Sequence, residues 1–334
     1  MYPLTPFKST NLILVFHSVP SKPLFRNTIK TIQKIYNFIS IETIESCCYD
    51  NKKINNCCHI CFDDGDRTIY ENAFPILAEM NVPATLFVSP KVICNESNYW
   101  FQELRYIRKY LNDKLLKETI CEIVDCDYRQ IKKYKILSIF KCMKLVDILK
   151  IINTIKEKYS IKVKKKYNIT NDQLYELYDS GIFTMGAHTM NHPILHNETY
   201  DDAEKEIHDS VKKLSEMLET DIKYFAYPNG ITNLDFNLRE QLILKKNKIK
   251  LAFTTDSNFY NNTTNPFSIP RSGFSGLKIE YFYPYILCKL FLVPIWNNIH
   301  DLFLFGKSEI REREEIKNLP FFKVYFYNNS NNFS

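Results

Sequence analysis

The stretch CFDDGDRT at residues 61–68, answered by GAHTMNHP at 186–193, decides how this chain is read. The first follows the apolar run His59–Phe62 and sets Asp63 and Asp64 side by side ahead of Gly65. The second follows Phe183–Ala187 and sets His188 and His192 four residues apart. Both runs place their polar residues where a buried strand is expected to end. An extended chain points adjacent side chains to opposite faces, but at a strand exit both carboxylates can turn into one cleft, with Gly65 permitting the sharp turn. One carboxylate and two imidazoles make a three-ligand metal set with an open position, and the second carboxylate is left over as a base. Taken singly, each run has a plainer reading. DDG is common in Asx turns, and HxxxH also fits two capping or surface histidines. The i, i+4 spacing predicts that both imidazoles share one face of a helical turn.

Outward from these runs the chain alternates. Leu12–Phe16 reads as a strand ending at His17, and residues 27–38 are compatible with a helix. Apolar positions Ile69, Ala73, Ile76, Leu77 and Met80 recur at helical spacing, and Ala84–Val88 is β-prone and closed by Ser89–Pro90. Residues 101–169 are Lys- and Ile-rich and helical in pattern, an insertion between barrel units. Alternation resumes with a helix over 171–180 capped by Asn171 and stopped by Gly181, the strand 183–187, an amphipathic helix over 200–219, and strands at 224–227 and 251–255. Strand–helix–strand alternation predicts parallel βα units, whose strand ends form one functional face. The fold class is therefore α/β, an irregular (β/α) barrel over residues 1–280, with 281–334 as an aromatic C-terminal extension.

Composition narrows the function classes. The chain has 334 residues, 45% of them hydrophobic, enough for a sizeable core, and its net charge of +6 is spread out rather than clustered. That excludes a nucleic-acid signature, and the run Lys162–Lys166 reads as solvated surface. Among the ten cysteines, the adjacent pairs Cys47–Cys48 and Cys57–Cys58 are poorly placed to bridge internally. Reduced thiols are expected, and MYPLTPFKSTNLILVF lacks the pattern of a secretory signal. The expected location is cytoplasmic. The segment YFYPYILCKLFLVPIWNNIHDLFLF at 281–305 is too short and too broken by Pro284, Lys289 and Pro294 to span a bilayer. It suits either peripheral contact with the inner membrane surface or packing against a protein surface.

CFDDGDRT, GAHTMNHPIL and FAYPNG, in that order, resemble the first three motifs of the polysaccharide deacetylases, the chitooligosaccharide deacetylase-like enzymes of carbohydrate esterase family four. LVFHSVP at 14–20, TIYENAFPILAEMNVPATLFVS at 68–89 and DQLYELYDSGIFTMGAHT at 172–189 are similar to other stretches of that family, so the likeness covers residues 12–93 and 170–272. The resemblance implies metal-dependent removal of an N-acetyl group from an amino sugar. It implies Asp63 as general base and Asp64, His188 and His192 as metal ligands. It further implies Tyr227 as a backbone donor to the oxyanion, Pro228 as the shaper of that turn beside the substrate, and Arg271 as the residue that orients Asp63, although Arg271 equally fits a surface salt bridge. His17 is read as lining the cleft with the substrate. His196 is not taken as a ligand, and His59 is read as structural. Zinc suits a two-histidine, one-aspartate site, and cobalt, nickel or manganese fit the same ligands. The expected substrate is an N-acetylated glycan, or a glycolipid if the enzyme works at the inner membrane. The late Leu-x-His motif that supplies a general acid in many relatives is missing, and Asp256 only distantly echoes the acidic fourth motif. Two other readings therefore stand beside the first: hydrolysis of another non-peptide C–N bond, and a catalytically silent sugar-binding module.

Overall fold

The computed structural model describes residues 10–261, 263–274 and 309–322. The segment 281–305, for which membrane or protein contact was expected, lies outside the described residues. Eight strands form one sheet: β1 (Leu12–Phe16), β2 (Asn37–Phe38), β3 (Cys57–Asp63), β4 (Ala84–Val88), β5 (Phe183–Ala187), β6 (Tyr224–Ala226), β7 (Leu251–Phe253) and β8 (Ser272–Gly273). The order is β7-β6-β5-β4-β3-β1-β8, with β2 paired to the start of β3, and every pairing is parallel. Residues 266–269, which lead into β8, hydrogen-bond back to β7 through Ala252 N to Pro266 O (2.8 Å) and Thr254 N to Ile269 O (2.8 Å). The sheet thereby curls on itself into the expected irregular barrel, with helices outside.

The strands are readable because parallel strands are covered on both faces and appear as unbroken apolar runs. All five residues of β1 are buried. Leu12, Leu14 and Phe16 face the main core under the outer helices, whereas Ile13 and Val15 belong to an inner cluster with Cys61, Phe87, Phe253 and Ile269. Cys58 and Cys61 of β3 have Cys-x-x-Cys spacing but fall into these two different clusters, as strand alternation requires. Every cysteine among the described residues is a free thiol. Gly186 has a packing reason: a Cβ there would lie 2.4 Å from the Phe87 ring, which plugs the barrel interior against Phe253.

Several boundaries differ from expectation. The first helix is Lys22–Gln33, not 27–38, because Ser21 caps it (Leu24 N to Oγ, 3.5 Å) and Pro23 sits in its first turn. A helix at Ile41–Tyr49 has no counterpart in the sequence reading. The helix Asn171–Asp179 is capped by Thr170 in a reciprocal box with Gln173, not by Asn171.

Five of the helices between β4 and β5 form a unit of their own: Trp100–Ile107, Asp113–Val124, Tyr128–Ile131, Ile136–Phe140 and Leu145–Lys158. They bury a separate apolar cluster that Ile316 and Phe322 complete from the C-terminal helices Glu309–Lys317 and Pro320–Phe322. Glu312 accepts from Lys135 N (2.6 Å) and Ser138 Oγ (2.9 Å), and Arg313 makes a fully buried ion pair with Asp235 (2.6 Å). The helix 309–317 thus ties this helical unit to the loop that follows β6.

Candidate active site

Parallel pairing puts the C-terminal ends of the strands on one rim. There His17 follows β1, Asp63 ends β3 with Asp64 after it, and His188 follows β5. These residues line a cleft of about 440 Å³, together with His192, Asn229 and Thr255 from the loops and Trp100, Phe101 and Arg105 from the helical unit.

Asp64 and Gly65 both take left-handed backbone, φ 70° and 74°. Through this turn Asp64, like Asp63, lines the cleft. At Gly65 a Cβ would also press on Val88 at 3.3 Å, so that position requires glycine. Asp64 Oδ1 lies 3.6 Å from His188 Nε2 and 3.4 Å from His192 Nε2. The three ligand atoms fall within 4.8 Å of one another, all on buried residues. The imidazoles do not share a helical turn. His188 N still extends the ladder to Val88 O (3.0 Å), and the loop then folds back through Thr189 and His192, both left-handed at φ 62° and 60°. Thr189 Oγ1 accepts from His192 N (3.0 Å) and fixes that loop. The i, i+4 spacing therefore converges by a strained loop, not by helical periodicity.

The donor set fits a divalent metal. His188 Nδ1 donates to Ala226 O (2.7 Å), which leaves Nε2 as the free ligand atom. Asp64 Oδ1 is buried and has no hydrogen-bond partner, an orphan that a cation would satisfy. Burial, reinforced by the charges of Asp63 and Asp66, pushes Asp64 well above the usual carboxylate range. Burial holds His188 down at about 4 and His192 well below its ordinary value. Neutral imidazoles beside an unsatisfied carboxylate are the form in which such ligands bind a metal. A second layer holds the loops. Trp100 Nε1 donates to His192 O (3.0 Å), Ser89 Oγ to His188 O (2.9 Å), and Tyr99 OH to Asp64 O (2.9 Å).

Asp63 is held differently. Arg271 Nη1 and Nη2 donate to its two oxygens at 2.7 and 2.8 Å, while Nε donates to Thr254 O at 3.0 Å. Arg271 is fully buried over the rings of Phe87 and Phe253 (5.5 and 5.9 Å). Burial alone would raise the Asp63 pKa, but the guanidinium outweighs it and the carboxyl sits at about 2. His17 Nε2 stands 4.0 Å from Asp63 Oδ2 at the mouth of the cleft, with 51% of its side chain open.

Two of the expected roles change. Tyr227 N donates to Phe253 O (3.1 Å) as part of the β6–β7 pairing, its hydroxyl donates to Phe267 O (2.9 Å), and its ring stacks on Phe236 at 3.6 Å. Its N–H is spent on the sheet and is not available to an oxyanion. Pro228 shapes the turn, accepting from Gly230 N (2.7 Å), but does not line the cleft. The residue that does is Asn229, left-handed at φ 60°, whose N–H has no partner among the described residues. The signal for it was the turn chemistry of Pro-Asn-Gly, read two residues too early. Asp256 lies outside the cleft and binds Thr232 Oγ1. His196 pairs with Asn237, and His59 is a buried strand residue bonded to Ile39 O and Thr85 Oγ1.

The family model for polysaccharide deacetylase matches residues 50–125 and 145–246, more than half of the chain. The chain belongs to the polysaccharide deacetylase family. It is 22% identical over 251 residues to the poly-β-1,6-N-acetyl-D-glucosamine N-deacetylase of Staphylococcus aureus strains MSSA476 and N315. That stretch covers 72% of this chain and 58% of the relatives, so the chain spans little more than half of their length. Among solved structures, IcaB from Ammonifex degensii superposes with a TM-score of 0.54 at 15% identity, covering 84% of this chain and 97% of that one. The Streptococcus pyogenes deacetylase PplD in complex with acetate gives 0.52 at 19% identity, covering 81% and 93%. These two likenesses speak for the fold.

Proposed function

We propose that this chain is a metal-dependent hydrolase that removes N-acetyl groups from an amino-sugar glycan. The observation that carries the reading is the juxtaposition at one strand rim: Asp64, His188 and His192 as a buried ligand set, beside an Asp63 gripped by Arg271. The named activity of the Staphylococcus aureus relatives supports an N-acetylglucosamine-type substrate. Asp64 Oδ1 and the two Nε2 atoms would hold the ion, and zinc suits them. When bound, the metal supplies Lewis acidity toward the acetyl carbonyl and makes water a better nucleophile near neutral pH.

The chain's own residues do the rest. Asp63 takes the proton of the attacking water. Arg271 keeps that carboxylate ionised and fixed in orientation. The unpartnered Asn229 N–H at the cleft wall is offered to the negative charge developing on the acetyl oxygen. Asp63, now protonated, returns the proton to the departing nitrogen as the C–N bond breaks, releasing acetate and a free amine. His17, near Asp63 Oδ2, is the second proton carrier in reach in a sequence without the family's usual general-acid motif.

The test is acetate release from a panel of N-acetylated oligosaccharides and glycolipids with zinc-loaded protein. Release from amino sugars, lost in Asp63→Asn, is the expected result. Release only from non-sugar amides would move the chain to another C–N hydrolase activity. No release from any substrate, with sugar binding retained, would leave a silent binding module.

A further inference from the structure

The wall of the cleft contributed by the helical unit carries a charge pattern that cleavage of a neutral acetamide does not require. Phe101, Leu104, Arg105 and Arg108 line the cleft. They recur at i, i+3, i+4 and i+7 and so form one stripe along the helix Trp100–Ile107 and its cap. The stripe is anchored at the metal end, where the Phe101 ring lies 5.0 Å from the His192 ring. From that point Arg105 is displaced by about 6 Å and Arg108 by about 10 Å along the helix axis. Lys141 lines the same cleft.

The balance of charge here is positive. Arg108 is paired with Asp113 (2.9 Å) and Lys141 with Glu309 (2.7 Å), both carboxylates that do not line the cleft. Arg105 is exposed and forms no ion pair among the described residues. Among the described residues, the only carboxylates lining the cleft are Asp63, committed to Arg271, and Asp64, committed to the ligand set. A divalent ion would make the floor more positive still. Phe101, only partly buried beside His192, meanwhile offers an apolar ring surface to a sugar, whereas Trp100 and Leu104 are buried.

We infer that this wall selects a substrate carrying an anionic group, phosphate or carboxylate, about one sugar unit from the acetamido group that is cleaved. Arg105 is the principal contact, with Arg108 and Lys141 extending the positive field. This inference rests on the amino-sugar reading above and specifies its substrate.

The experiment compares kcat/KM of zinc-loaded protein on three forms of one N-acetylglucosamine oligomer: neutral, bearing a phosphate ester, and bearing a carboxylate. At low salt the preferred anionic form is expected to exceed the neutral one about tenfold or more. Which form gains tells phosphate from carboxylate. The ratio falls as salt is raised, because the cations are open to solvent, and collapses toward one in the Arg105→Gln, Arg108→Gln double variant. A wild-type ratio near one, or a ratio unchanged in the double variant, overturns the inference. If no form releases acetate, the hydrolase reading fails by itself. Calorimetric binding of the deacetylated phosphate- and carboxylate-bearing products against the neutral product then decides the anion site: tighter binding that Arg105→Gln removes supports it, and equal affinities refute it.

Discussion

Arg271 and Asp63 form a two-point ion pair, 2.7 and 2.8 Å, that joins the end of β3 to the segment leading into β8, with neither residue open to solvent. Because Arg271 Nε also donates to Thr254 O, the pair ties β3 to the seam between β7 and the two-residue β8 where the barrel closes. It also sets the charge state of the proposed base. Asp63 is the deeper of the two adjacent carboxylates, and its neighbour Asp64 is pushed the other way by burial. Two adjacent carboxyl groups with opposed environments are the arrangement that separates a base from a ligand.

Removing the arginine should therefore cost stability as well as activity. Arg271→Met leaves a buried charge with no partner, a loss of about 3–5 kcal/mol for breaking a pair of this kind. The double variant Arg271→Met, Asp63→Asn is expected to recover part of that loss, because the orphan charge is gone. Urea melts of the three proteins check this. A double variant no more stable than Arg271→Met would show that the pair is not what holds this seam.

The same pair has a pH signature. A carboxyl held near 2 when folded and 3.8 when unfolded stabilises the folded state fully above the unfolded value. That contribution is lost as pH falls from about 4 to about 2. Acid unfolding of the wild type is expected to steepen in that window, and Asp63→Asn to flatten it. Parallel acid melts that superimpose would refute the assignment.

Metal binding separates the two carboxylates directly. Zinc is expected to raise the Tm of wild type and of Asp63→Asn, and to leave His188→Ala and Asp64→Asn unmoved. Asp63→Asn should bind stoichiometric metal yet lose about 10²–10⁴-fold in kcat, the usual worth of a positioned base. Metal content by elemental analysis and initial rates of acetate release are the measurements. Stoichiometric zinc in His188→Ala would displace the site.

What was legible in the chain follows from how parallel strands are buried. Leu12–Phe16, Ala84–Val88 and Phe183–Ala187 appear as unbroken apolar runs with their true bounds, and the polar residues that end them mark the functional rim. Asp64, His188 and His192 could be grouped because ligand chemistry is written in residue type. The conformations that bring them together could not. Left-handed backbone at Thr189, His192 and Asn229 leaves no trace in hydrophobic periodicity, so the histidine spacing looked helical and the turn after β6 was read on Tyr227. Whether an N–H is free depends on strand pairing, and the pairing of β6 with β7 is a long-range contact. The Arg271–Asp63 contact spans 208 positions and was reachable only through family resemblance. The wall built by Phe101, Arg105 and Lys141 was invisible for a related reason: nothing in a lysine- and isoleucine-rich helical stretch says which face meets the barrel.

Glu198 provides a test far from the chemistry. It is buried just after the short 3-10 turn Leu195–Asn197, where its Oε1 accepts from Leu145 N (2.8 Å) at the start of the helix Leu145–Lys158. A helix N-terminus favours a carboxylate, but burial wins and the pKa is raised to about 7. The folded state thus holds a proton that the unfolded chain releases near the ordinary value of 4.5. Where the folded state binds more protons, stability falls with rising pH. Glu198 therefore contributes its full stabilisation below about 4.5 and loses it progressively up to about 7, a total of about 3 kcal/mol. Glu198→Gln keeps the acceptor for Leu145 N and removes the titration. Its Tm relative to wild type is expected to rise between pH 5 and pH 8 and then level off. A difference that stays constant across that range would mean Glu198 is ionised in the folded protein, with the helix N-terminus, not burial, deciding its charge.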